Sequence, residues 1–365
     1  MAIATQQPQS CGQDMPAGEL RIENRTTYFR KALKSPDFGS DSVLTRDPFG
    51  FVELWLKRNC KEALPFWTQA KNYFSASRNL PAESAPLTLY YCYLNAAKAL
   101  LTVKKIPFTP RHGVSGTYDP TSRRSLSKET VKIERSGVMA DLSSYLEEPE
   151  KNNEHLLIDL LANLAYIHRT FRYTYKSRKE MFIPIENPLY RQHPTDGYVW
   201  FSAGIEGRFA DTRSLTTLPP IFEVDEGFPR KNNSCTVRTK YRIKWHKTRG
   251  ATAAEKETAR KKLWGVHRKT RLAVQCISAP IDIWYIKRCV AGCTYIERYN
   301  ITIAMAIMHR LSELSRYDPK GLIRYLEGKE NWLLTEFIQL SPAQFIDELA
   351  CEMTSLEIRL PGVRS

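Results

Sequence analysis

Residues 87–103 restrict the folding of this chain more than any other stretch. Leu87, Leu89, Tyr90, Tyr91, Tyr93, Leu94, Ala96, Ala97, Ala99 and Leu100 leave a helix with almost no polar side. Such a helix has to be covered on most of its surface. It therefore predicts the centre of a core around which other elements assemble. Ser84-Ala-Pro86 supplies a helix start, and Pro107 and Pro110 stop it. A loop through Arg111, His112, Gly113 and Gly116 follows.

Other helices are expected on both sides of this one. Asp47-Pro48 gives an N-cap and a first-turn proline for a helix holding Phe51, Leu54, Trp55 and Leu56. Leu156, Leu157, Leu160, Leu161, Leu164 and Ile167 set a helical period over residues 153–175. Helices are also predicted over 295–317, around 322–326 and over 331–357, with Ser341-Pro342 marking a start. Between these regions the pattern changes to β-branched and aromatic runs. Residues 198–205, 220–224, 235–245 and 272–287 read as strands. In the third of these, Val237, Thr239, Tyr241, Ile243 and Trp245 fall on one face, and Arg238, Lys240, Arg242 and Lys244 on the other.

The expected fold class is α+β, with a mainly helical body whose N- and C-terminal helices share one core, and a β-rich, strongly basic insertion. Its parts are a flexible tail over residues 1–40, a helical domain over 41–185, the insertion over 190–294 and C-terminal helices over 295–365.

Charge is distributed very unevenly. Of the 54 Lys and Arg residues, fifteen lie between positions 230 and 271, against two acids, Glu255 and Glu257. The whole chain has a net charge of +15, so the remainder is close to neutral. Clustered cations of this density point to a polyanionic partner, first of all nucleic acid. The phosphate-binding candidates are Arg238, Lys240, Arg242, Lys244, Lys247, Arg249, Arg260, Lys261, Lys262, Arg268 and Lys269. Trp245 and Trp264 are candidates for stacking on unpaired bases. An acidic protein surface, met within a larger assembly, is the other partner such a block would suit.

Several classes lose support. The first eighteen residues lack the charged and apolar regions of a secretory signal, and no apolar run is long enough to span a bilayer. Eight cysteines at positions 11, 60, 92, 235, 276, 289, 293 and 351 are scattered, without two paired spacings for zinc. The expectation is a cytoplasmic protein with reduced thiols, no cofactor, no metal and no membrane partner. The nucleotide-binding Gly-x-x-x-x-Gly-Lys loop, the Gly-x-Ser-x-Gly elbow and the His-Glu-x-x-His helix are missing.

The run Leu-Thr-Leu-Tyr-Tyr-Cys-Tyr-Leu-Asn-Ala-Ala-Lys-Ala-Leu-Leu from Leu87 resembles the tyrosine-rich helix of the YaaC-like bacterial proteins. The run Ala-Ile-Met-His-Arg-Leu-Ser-Glu-Leu-Ser-Arg-Tyr-Asp-Pro from Ala306, with Gly328 and Trp332, is similar to that family's closing region. With Trp67, Tyr73 and Phe74, the resemblance covers most of the chain after residue 45. It implies a fold more than an activity. The same tyrosine-rich helix and its following loop also resemble HEPN helical domains, found in RNases, toxins and antiviral systems. That likeness implies a defence or stress setting and, in its catalytic form, a metal-independent ribonuclease. Its Arg-then-His motif has one formal match, Arg260 and His267, with His112 as another candidate for acid–base work.

Two more groupings are candidates. His168 and Arg172 share a helix face and, with Arg111 and His112, would form an anion pocket. His309-Arg310 precedes Arg316-Tyr317-Asp318, where an ion pair from Arg316 to Asp318 or Glu313 is expected.

Overall fold

The computed structural model describes residues 17–117, 125–230, 233–246 and 250–361. The first elements are short strands: β1 (Gly18–Glu19), the hairpin of β2 (Arg21–Ile22) and β3 (Arg25–Thr26), and β4 (Val43–Leu44). Helices α1 (Pro48–Asn59), α2 (Leu64–Ser77) and α3 (Ala85–Val103) follow. Asp47 caps α1, its carboxylate accepting the Gly50 N–H at 2.9 Å. The all-round apolar helix is α3, and it is central as its sequence requires. It packs against α2 and three later helices, with Tyr90, Tyr93, Ala96, Ala97 and Leu100 fully buried.

A small sheet comes next. β5 (Val114–Thr117), β6 (Thr130–Ile133) and β7 (Glu154–Leu156) form it, with α4 (Val138–Leu146) between the last two. The helix expected over 153–175 is instead β7, α5 (Leu157–Ala162) and α6 (His168–Thr174). Asn163 divides it. Its side-chain amide donates to the Asp159 and Thr294 carbonyls, and its own carbonyl accepts from Gln275. These bonds hold the chain out of helical geometry, and Leu164 takes an extended conformation.

The large sheet is built on two long strands, β8 (Phe182–Gln192) and β9 (Tyr198–Glu206). After the short α7 (Thr212–Leu215) come β10 (Phe222–Val224), β11 (Ser234–Thr239), β12 (Ile243–Lys244), the long helix α8 (Ala253–Ala273), β13 (Val274–Ile277) and β14 (Ile283–Lys287). The order is β10-β11-β9-β8-β14-β13, antiparallel throughout, with β1 also on β8 and β12 also on β9. A bulge between Glu186 and Leu189 shifts the register of the central pair. Bulges bend a strand and increase its twist, and the sheet curls into a half-barrel. Leu263 and Val266 of α8 join Ile183, Tyr190, Val199, Phe201 and Val237 in its core.

The chain ends in α9 (Asn300–Tyr317), α10 (Pro319–Glu327), α11 (Asn331–Thr354) and β15 (Ile358–Arg359), which pairs in parallel with β4. Ser341-Pro342 does not start a helix: Pro342 lies inside α11. The Ser341 hydroxyl instead accepts from Tyr93 and Tyr166 at 2.8 and 3.0 Å.

The expected fold class needs correction. The molecule is not a mainly helical body with an inserted sheet. Its described residues are 47% helical and 19% strand, and the eight-stranded sheet is a principal layer with its own core. Strand β1 belongs to that sheet although it lies far outside residues 190–294. Chain order is not spatial order here, since a strand from residues 18–19 pairs with one from residues 182–192.

The flexible tail expected over residues 1–40 is corrected from residue 17 onward. Leu20, Phe29 and Leu33 are fully buried or nearly so. The Phe29 N–H donates to the Pro188 carbonyl of β8 at 3.0 Å, and its ring sits 4.7 Å from Phe201. Residues 31–34 then pass between α8 and α11. Glu352 accepts the Leu33 and Lys34 N–H groups at 2.6 and 3.0 Å, and Glu357 accepts that of Lys31 at 2.9 Å. Arg271 of α8 donates to the Lys31 carbonyl and pairs with Glu348 of α11. This strap joins the two cores through its backbone.

Candidate functional site

Helix α8 organises the basic segment. Thr252 and Glu255 form a reciprocal capping box at its start. Ala259, Leu263, Val266, His267 and Thr270 recur at helical spacing and are buried against the sheet. Burying a side chain such as Leu263 contributes about 2 kcal/mol, so the helix is fixed by its apolar face. Arg260, Lys261, Lys262 and Lys269 are consequently turned outward and exposed. Lys261 is 3.7 Å from the exposed Glu257. Lys269 lies 4.8 Å over the Tyr241 ring. Arg260 and Lys262 make no ion pair with the described residues. Arg268 is drawn aside to Glu147 at 2.5 Å.

The expected cationic strand face is largely absent. The predicted strand over 235–245 breaks after Thr239, whose hydroxyl accepts the Phe201 N–H and donates to the Tyr241 carbonyl. Tyr241, expected on the inner face, is 45% exposed. Arg238 bonds Glu223 at 2.8 Å and Asp225 at 3.2 Å. Arg242 lies 3.7 Å from Glu223, and both guanidinium groups cover the Trp200 ring. Lys244 donates to the Asp196 carbonyl. Of this face only Lys240 remains exposed without such a partner among the described residues. Lys247 and Arg249 lie outside the described residues. The two tryptophans are half-buried packing groups, and the Trp264 indole donates to the Pro36 carbonyl at 3.0 Å.

The histidines divide by environment. His267 is fully buried, with Nδ1 2.9 Å from the Tyr190 hydroxyl and Nε2 2.7 Å from the Ala32 carbonyl. Burial, with Arg271 and Arg30 adding to it, holds its pKa at about 3. Arg260 is exposed and seven positions away, about 10 Å along the helix. The two do not form a joint site. His168 donates to the Ala165 carbonyl, and its pKa is lowered, first by burial. The expected anion pocket is not assembled: His168 and Arg172 line one cleft, beside Arg178 and Glu180, while Arg111 and His112 line another.

The second cleft borders a cluster that the sequence did not reveal as a unit. His112 Nδ1 is 2.8 Å from the Tyr90 hydroxyl, and the two rings are stacked. His309 of α9 meets Tyr90 edge-on at 4.7 Å, with 5.9 Å between the centroids of the two imidazoles. Burial pushes the His309 pKa down to about 3, helped by His112, Arg316 and Arg310. His112 is lowered too, by burial and then by Arg316 and Lys98. The expected Arg316 ion pair is not formed with Glu313. Arg310 takes that role at 2.9 Å and also holds the fully buried Glu129 at 2.6 Å. The only sequence signal was the i, i+4 spacing of His309 and Glu313; Tyr90 and His112 join them through tertiary packing alone.

Among the described residues no group of three or more His, Cys, Asp or Glu side chains is placed to hold a metal ion. No described helix is long and apolar enough to cross a membrane. A half-barrel closed over a basic helix and strapped to a helical layer defines a mixed α+β protein, with exposed cations on the outer side of α8. The chain belongs to the YaaC-like protein family, whose family model matches residues 27–353. That match carries no activity with it and lends nothing to the likeness to HEPN domains. No curated protein and no solved structure matches the chain.

Proposed function

We propose that the protein binds the phosphate backbone of nucleic acid through the outer face of α8. The observation that carries this reading is the two-sidedness of that helix. Its inner face is anchored in the sheet core, and its outer face presents Arg260, Lys261, Lys262 and Lys269 with a single nearby acid pair. An anchored helix presents its charges without first having to order itself, so little entropy is lost on binding. The strand cations Arg238, Arg242 and Lys244 are engaged within the fold and contribute less. Trp264 and Trp245 are packed into the core and do not serve as stacking platforms. Recognition by backbone charge alone is sequence-independent and strongly salt-dependent. A cytoplasmic setting, and membership of a larger defence or stress assembly, accompany this reading.

Fluorescence anisotropy with a labelled DNA duplex and a labelled single-stranded RNA tests it. With four phosphate contacts, affinity falls roughly a hundredfold between 50 and 200 mM salt. Replacing Arg260, Lys261, Lys262 and Lys269 together by Gln should remove most of the binding and flatten the salt slope. Absence of binding to either ligand at low salt would overturn the proposal. Capture of an acidic protein in place of nucleic acid would move the surface to a different class of partner.

A further inference from the structure

A second site lies on the opposite end of α4 from Glu147, at the loop that follows α3. An open cleft of about 740 Å3 runs between Arg111–Val114, β6 and the turn 134–136. Its rim carries three exposed cations, Arg111, Lys132 and Arg135. The acid beside them, Glu134, accepts from the Ser115 hydroxyl at 2.7 Å and lies 3.8 Å from Lys132. The loop conformation is tightly constrained. Gly113 has φ +76°, and a Cβ there would meet the Gly137 carbonyl carbon at 2.9 Å. This contact sets Arg111 and His112 against the start of α4, where the Val138 and Met139 N–H groups donate to their carbonyls.

His112 forms part of the cleft wall and is half-buried. Its Nδ1 is held by Tyr90, and its Nε2 has no hydrogen bond to the described residues. Behind Tyr90 stands His309, 4% exposed, whose Nδ1 is buried without a hydrogen-bond partner, 3.7 Å from Glu313. A buried imidazole nitrogen left unpaired carries a desolvation cost.

We propose that this cleft binds a phosphodiester anion, with Arg111, Lys132 and Arg135 on its rim and His112 as the protonatable contact. The site is independent of the α8 surface. In the free protein, the groups facing His112 from α3 are Tyr90, Tyr91 and Lys98. His309 and Arg316 face it from α9, with Glu313 behind His309, Asp141 lies on α4, Lys132, Glu134 and Arg135 line the same cleft, and Arg111 is its neighbour. Cations and burial dominate this surrounding, which keeps the ring neutral. An anion arriving at Nε2 reverses the balance and draws a proton onto the imidazole. Nδ1–H then donates to the Tyr90 oxygen, and Nε2–H to the ligand. His309 is a positioning residue: it backs Tyr90 and stays neutral.

The test is a histidine NMR titration of the full chain with a dinucleoside monophosphate, whose single charge does not change between pH 5 and 8. The His112 signal is assigned by its loss in His112→Gln. Saturating ligand is expected to raise the His112 pKa. The ligand Kd should rise with pH by up to tenfold per unit between the free and bound values. His112→Gln should abolish that pH dependence, and Arg135→Gln, an exposed change, should weaken binding several-fold in a folded protein. Glycerophosphocholine, run in parallel, separates a lipid-type diester from a nucleic-acid one, and movement of His112 with either supports the site. An unmoved His112 titration at saturation overturns the proposal, as does loss of the effect in the Arg260, Lys261, Lys262 and Lys269 variant. If long nucleic acid fails to bind while His112 still responds, only the α8 reading falls.

Discussion

His267 on α8 donates its Nε2–H to the main-chain carbonyl of Ala32, 235 residues earlier in the chain, at 2.7 Å. A carbonyl oxygen only accepts, so the proton is on Nε2, and Nδ1 accepts from the Tyr190 hydroxyl at 2.9 Å. One neutral imidazole therefore ties the strap, the half-barrel and the basic helix together.

That neutrality makes stability depend on pH. An imidazole in the unfolded chain titrates near pH 6.5, whereas His267 and His309 are both held at about 3. Between these values the unfolded chain binds more protons. The contribution of the two groups is fully present above pH 6.5 and is lost progressively as pH falls towards 3. Each steepens the decline by up to about 1.4 kcal/mol per pH unit. Denaturant midpoints measured from pH 7.5 to 4.5 should show this decline, and His267→Gln should reduce its slope. A midpoint flat across that range would contradict the assignment of neutral, buried rings.

Glu352 is the main anchor of the strap. Besides the Leu33 and Lys34 N–H groups, it accepts the Tyr145 hydroxyl at 2.5 Å. Glu352→Ala leaves the buried Leu33 N–H and the part-buried Lys34 N–H unpaired and should destabilise the protein by about 2–4 kcal/mol. Hydrogen exchange is the more specific readout. The Leu33 and Lys34 amides should lose protection well before those of β8 and β9, and uniform loss would show that the strap is not a separate unit.

Gly116 on β5 lies against the Arg310–Glu313 pair. A Cβ built there falls on the Glu313 Oε2 and on the Arg310 Cδ and Nη1. Gly116→Ala should displace the arginine from Glu129 and destabilise the fold by about 1–3 kcal/mol. Its φ is not in the left-handed region, so the effect is steric, and the larger side chain of Gly116→Val should cost more than that of Gly116→Ala. Thermal melts of the two variants decide the matter.

The sequence revealed α3 because burial on all sides leaves a compositional mark that no neighbour has to supply. The inward face of α8 is equally present, in the spacing of Ala259, Leu263, Val266 and Thr270, but the surrounding lysines and arginines mask it. His267 enters the Arg-then-His pattern by spacing alone, and its burial under the helix has no mark in that pattern. Nothing in residues 27–34 reveals the strap. Its bonds run from backbone amides and carbonyls to side chains hundreds of positions away, and backbone groups carry no sequence signal. The Tyr90, His112 and His309 cluster is built by three separate elements, which a linear pattern cannot join.

The strap also bears on the order in which the molecule can be completed. Leu33 leaves the ribosome 319 residues before Glu352, and Ala32 leaves 235 residues before His267. The segment between the two cores therefore has no seat until α11 has been made. Until then both faces that clasp it stand open, and an incomplete chain carries them unclosed.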